Sequence, residues 1–163
     1  MAKVIPGRRT HHHDGELVVF HIGMQINRPW RPDLWLPVFL AMPGMLRELS
    51  EDPESGMLGY TLLFGRGGPH VVQYWTSIDK LYAYASDPAQ QHRPAWAAFN
   101  RLARRAPGAV GVWHETFAVD RAESMYVSTP PLGLGAATSI VEVGRANTHA
   151  RDRLAAGASR EAA

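Results

Sequence analysis

The groups in this sequence able to take, give or hold a proton cluster in four segments: HIGMQINRPWRPDLW, HVVQYWTS, QHRPAWAAFN and VWHETF. Each sets imidazole, amide or carboxylate beside large aromatic rings. An imidazole titrates near neutrality and can remove a proton from an acidic C–H or O–H. Amide and indole N–H groups can hold the oxyanion that results, and aromatic walls keep water away. His114 and His92 are therefore candidate bases, with Glu115 and Asn27 as further catalytic candidates. His21, Gln25, Trp30, Gln73, Trp75, Trp96 and Phe99 are candidate substrate contacts.

Each of these residues also has an ordinary structural use. Asn27 and the prolines around Trp30 suit a turn packed by an indole. Gln73 interrupts an apolar strand, and Tyr74 and Trp75 point to opposite faces, where aromatics commonly serve packing. His92, Trp96 and Phe99 fall on one face of a helix, but a histidine in a helix is also a common surface or capping residue. His114 and Glu115 lie on opposite faces of a strand, so at most one of them can enter a given pocket.

What is missing narrows the chemistry. The 163 residues contain no cysteine, which removes thiolate nucleophiles, thiolate zinc clusters and disulfides. There is no nucleophile elbow, phosphate loop, dinucleotide glycine fingerprint or metalloprotease helix. Gly65, Gly67 and Gly68 read as a hairpin, and His11, His12 and His13 are set aside as a tract near one end. A net charge of +2 and no recognisable module argue against nucleic acid. No uncharged apolar run approaches the ~18 residues that cross a bilayer, and no secretory pattern opens the chain, so a cytoplasmic protein is expected.

The elements that must carry these groups follow from periodicity. Residues 16–26 are apolar on both alternating sets, a strand covered on two faces. Leu34, Trp35, Val38, Phe39, Met42, Leu46 and Leu49 recur at helical steps, with Pro37 expected near the first turn and a kink at Pro43. Residues 57–64 and 70–75 form an antiparallel hairpin across 65–69. Ser77 caps a helix through Leu81 and Tyr82, a second helix after Asp87 and Pro88 carries Trp96, Phe99, Leu102 and Ala103 and stops near Pro107 and Gly108, and residues 110–119 are the fourth long strand. Residues 123–128 and 140–143 can add short strands. The order β, α, β, β, α, β predicts an α+β ferredoxin-like antiparallel sheet with helices on one face. A second copy is expected to cover the other face, giving a homodimer and a dimeric α/β barrel. Residues 1–15 and 144–163 are expected to be flexible tails around a domain at 16–143.

The stretches FHIGMQINRPWRPDLWLPVFLAMPGMLREL, GMLGYTLLFGRGGPHVVQYWTSIDKLYAYASDPAQQHRPAWAAFN and VGVWHETF resemble the monooxygenase-like family of the dimeric α/β-barrel superfamily, which includes the antibiotic-biosynthesis monooxygenases. The likeness runs from about residue 18 to 134. It implies a small oxygenase acting on an apolar, aromatic or polyketide-like secondary metabolite, with no cofactor. A second stretch, YWTSIDKLYAYASDPAQQH, is similar to the haem-containing aldoxime dehydratases of the same superfamily, and the likeness implies His92 as an axial haem ligand. A non-catalytic ligand-binding or stress protein is the third expectation.

Overall fold

The computed structural model describes residues 3–90 and 92–156. Strand β1 (Ile5–His12) comes first, then β2 (Leu17–Ile26), helix α1 (Pro32–Glu51), the hairpin β3 (Met57–Gly65) and β4 (Gly68–Trp75), α2 (Ile78–Ser86), α3 (His92–Arg105) and β5 (Val110–Val119). Short elements follow: β6 (Tyr126–Thr129), α4 (Leu134–Ala137), β7 (Ser139–Glu142) and α5 (Ala150–Ala156). From β2 to β5 the order is the expected one. Its four strands form an antiparallel sheet in the order β3-β4-β2-β5, the split βαβ arrangement of ferredoxin-like folds.

Directly paired residues of an antiparallel sheet share a face, so the register sorts every side chain. Val18, Phe20 and Met24 of β2 face the helices, and so do Trp75 and Val71 of β4. Val18, Leu49, Trp75 and Leu81 form one buried cluster; Met24, Leu34, Ala109 and Val110 form another nearer the far end of the sheet. On the opposite face lie His21, Glu115, Gly23, His70 and Trp113. Gly23 has no alternative there, because a Cβ would stand 2.6 Å from the Trp113 indole and 2.9 Å from the His70 Cβ.

Local chemistry explains the helix ends. Ser77 accepts a hydrogen bond from the Lys80 N–H at 3.1 Å and Glu16 accepts one from Ile78, capping α2 twice. Pro32 opens α1, where a missing N–H costs nothing, and the Arg31 guanidinium grips Asp33 through two hydrogen bonds. Because the helix begins at Pro32, Pro37 falls in its second turn rather than its first. Pro37 and Pro43 both lie inside α1 and deprive the carbonyls of Asp33 and Phe39 of helical donors. The hairpin is tighter than its sequence suggests: Gly65 pairs with Gly68, leaving only Arg66 and Gly67 in the turn, and Pro69 belongs to β4.

The supposed tails are the main correction. β1 lies in residues 1–15, and it forms the middle of a second sheet, β6-β1-β7. Its sequence, IPGRRTHH, has no apolar alternation to betray a strand. It is held instead by backbone ladders and polar side chains: His11 meets the Ser124 hydroxyl at 2.8 Å and Arg9 pairs with Glu142 at 3.1 Å. In residues 144–163, α5 is anchored by Arg153, which reaches Glu123 and the carbonyls of Asn147 and Thr148. A boundary at residue 16 therefore cuts a sheet; residues 157–163 lie outside the described residues. No helix among the described residues is long and apolar enough to cross a membrane.

Burial first, then the neighbouring His13, holds the His11 imidazole below its ordinary value of 6.5, against an opposing pull from Glu123. The unfolded strand then binds more protons than the folded one as the pH falls below about 6.5, so acid weakens this sheet and neutral pH restores it. In hydrogen exchange, the amide of Thr10 should lose protection between pH 7 and 5.5 relative to the same amide in a His11→Asn variant. Equal protection in both proteins would remove His11 as the cause.

Candidate active site

Between the helix-facing side of the four-stranded sheet and α1, α2 and α3 lies a cavity of about 520 Å³. Its size is that of pockets for small organic ligands. The sheet supplies Phe20, Ile22 and Met24 from β2 and His114 and Thr116 from β5, two residues apart and so on one face. Helix α1 contributes Val38, Met42 and Met45, a wall of flexible thioethers and branched carbons. Helix α3 adds His92, Trp96 and Phe99, with the last two rings stacked at 5.3 Å between centroids.

The protonation pattern of His92 can be read from its partner. Its Nδ1 lies 3.0 Å from the Ala85 carbonyl oxygen. A carbonyl only accepts, so Nδ1 carries a hydrogen and, in the neutral ring, Nε2 keeps a bare lone pair. The same bond fixes the ring's orientation. Behind it, Tyr84 donates to Glu48 at 3.0 Å and ties α2 to α1, while burial and that carboxylate push the Tyr84 phenol far up. The His114 ring packs against Phe20 at 5.4 Å. Neither the His114 ring nor the Thr116 hydroxyl makes a hydrogen bond among the described residues, which leaves an imidazole and a hydroxyl free on the cavity wall.

Seven sequence candidates stand elsewhere. Glu115 and His21 are on the opposite sheet face, where a Glu115 carboxylate oxygen lies 3.8 Å from His21 Nδ1 and His21 Nε2 lies 2.7 Å from His70 Nδ1. The Trp113 ring meets His21 edge-on at 4.7 Å. Gln25 shares that face and packs over Gly67, whose Cβ, if present, would collide with its carbonyl oxygen. Asn27 donates to the Gly108 carbonyl at 3.0 Å and pins the exit of β2 to the loop before β5. Trp30 is largely exposed. Gln73 and Trp75 are buried together beneath α2, with the indole N–H donating to the Gln73 carbonyl oxygen at 3.0 Å. The indole N–H is spent on Gln73, and neither residue lines the cavity.

The cavity thus gathers four of the eleven candidates, His114, His92, Trp96 and Phe99. It also holds residues with no earlier mark against them: Thr116, Tyr82, Arg101 and Arg105. The two-residue step from His114 to Thr116 was the available signal for the first. The four-residue step between Arg101 and Arg105, which places both on one side of α3, was the signal for the two arginines.

The model of the monooxygenase af470-like family matches residues 17–134. The chain belongs to this family. Every cavity-lining residue falls inside the matched stretch, whereas β1, β7 and α5 fall outside it. The monooxygenase af470 of Aspergillus fumigatus is 29% identical over 147 residues, covering 80% of this chain and 51% of its own length. This family member therefore spans about half the length of that curated relative. Among solved structures, an aldoxime dehydratase, OxdRE, crystallised with butyraldoxime superposes with a TM-score of 0.64 at 16% identity, over 87% of this chain and 44% of its own. That similarity is one of fold. A cofactor-independent oxygenase from Streptomyces nogalater, SnoaB, aligns at a TM-score of 0.43 and 18% identity, over 64% of this chain and 94% of its own.

Proposed function

We propose that the cavity binds a small apolar secondary metabolite, aromatic or polyketide-like, carrying an acidic C–H, and oxidises it with dioxygen without a cofactor. The observation that supports this most is the bare Nε2 of His92, whose ring the Ala85 carbonyl orients through Nδ1 on a largely apolar wall. His92 is the general base. His114 and Thr116, two residues apart on one face of β5, donate to the oxyanion of the deprotonated substrate, in place of the amide and indole N–H groups expected from the sequence. The substrate anion is itself the reductant of oxygen. At an activated methylene a C–O bond forms, the O–O bond breaks, and CH2 + O2 becomes C=O + H2O, with both hydrogens leaving in the water. A cytoplasmic setting and a homodimer belong to the same proposal. The sheet face that carries Trp113, Phe117 and Leu63 leaves these apolar residues 38–50% exposed, a patch suited to a second copy.

A haem protein is the second proposal, favoured by the same hydrogen bond. Histidines that ligate metals commonly donate their other N–H to a backbone carbonyl, as His92 does. The residues present fit such a group: His92 would hold the iron, Trp96 and Phe99 would flank the macrocycle, and Arg101 and Arg105 could meet its propionates. Bound haem would supply redox or Lewis-acid chemistry at iron.

Oxygen uptake with an anthrone, by protein purified without added cofactor and in the presence of a chelator, tests the first proposal. One dioxygen should be consumed per anthrone oxidised. If uptake is absent until haemin is added, and the resulting Soret shift disappears in His92→Ala, the haem proposal replaces it.

A further inference from the structure

Among the described residues the cavity wall contains no aspartate or glutamate, and its only permanent charges are the guanidiniums of Arg101 and Arg105. These stand four residues apart on α3, on neighbouring positions of one helix face. Like charges so placed repel, and neither guanidinium has an ion pair or hydrogen bond among the described residues. The negative end of the helix favours cations in its last turn, which accounts for Arg104 and Arg105. It does not account for Arg101, which lies before that turn, nor for the choice of the cavity side. Both side chains are exposed, so they sit where the apolar cavity opens to water.

We propose that Arg101 and Arg105 form an anion clamp at the mouth of the cavity, and that the substrate is an amphipathic acid: an apolar body inside and a carboxylate at the rim. The planar guanidinium forks match carboxylate geometry, and two of them can share one carboxylate. The arrangement also sets direction. With the charged end fixed at the mouth, the opposite end of the substrate is the part that enters the apolar space between sheet and helices. This rests on the cavity being the substrate site, as proposed above.

The test compares 2-naphthylacetate with its methyl ester, which have nearly the same apolar body and differ in charge. Titration calorimetry at low ionic strength should show the acid binding about tenfold tighter than the ester. Raising the salt to about 1 M, where the screening length falls to about 3 Å, should shrink that preference. In the R101Q/R105Q double variant the acid should fall to the affinity of the ester, while ester binding stays within about twofold of the original protein. Equal binding of acid and ester to the unaltered protein would overturn the clamp, and so would an acid preference that survives in the double variant. If neither probe binds, the cavity itself is not the ligand site and the proposed function fails with the clamp; ester binding without acid preference sinks the clamp alone.

Discussion

Replacing His92 with alanine should lower anthrone-dependent oxygen uptake by about 10²- to 10⁴-fold, the range that a positioned general base contributes. The Nδ1 hydrogen bond to Ala85 fixes the ring and commits the other nitrogen to accepting, so the loss should appear in kcat more than in KM. Alanine also deletes that bond, which couples the end of α2 to the start of α3. His92→Asn separates the two effects, because its amide nitrogen can still donate to the Ala85 carbonyl while no basic lone pair remains. Both variants should be equally slow, and His92→Asn should unfold at the same urea concentration as the original. Substantial activity in His92→Asn would show that the ring's place in the structure, and not its basicity, was what mattered. His114→Ala should cost less, about tenfold, since Thr116 remains to donate.

The four-stranded sheet and its helices were legible because their residues obey the two simple periods. β2 and β5 are apolar on both alternating sets, α1 carries its stripe through two prolines, and Ser77 announces α2. β1 was not legible, because IPGRRTHH is a strand made by partners that lie more than a hundred residues away, β6 and β7. Long-range pairing leaves no local trace. The site was legible in half of its logic. Alternation alone says that His114 and Glu115 part company across the sheet, and the register sends His114 to the cavity and Glu115 to His21. Composition could not distinguish a tryptophan that lines a cavity from one that fills a core, because both demands select the same large ring. That distinction required knowing which helix lies over which strand.

Trp75 and Trp96 make the difference measurable. Trp75 is fully buried among Val18, Leu49 and Leu81, and its indole N–H satisfies the Gln73 carbonyl oxygen. Trp75→Ala should destabilise the fold by about 3–5 kcal/mol through lost contacts and the cavity left behind. Stranding the buried Gln73 amide adds about 1–3 kcal/mol. Against a typical total of about 5–15 kcal/mol, that brings the protein close to unfolding at room temperature. Trp75→Phe refills most of the volume but cannot donate, so it should recover the larger part and still leave the amide's share unrecovered. Trp96, half exposed on α3, should behave the opposite way: Trp96→Ala should shift the urea midpoint little, by about 1 kcal/mol or less, yet weaken naphthyl-ligand binding markedly. Urea melts and ligand titrations on the three variants decide the matter together. If Trp75→Phe loses ligand affinity without losing stability, Trp75 reaches the ligand after all, and the boundary drawn between core and cavity lies on the wrong side of β4.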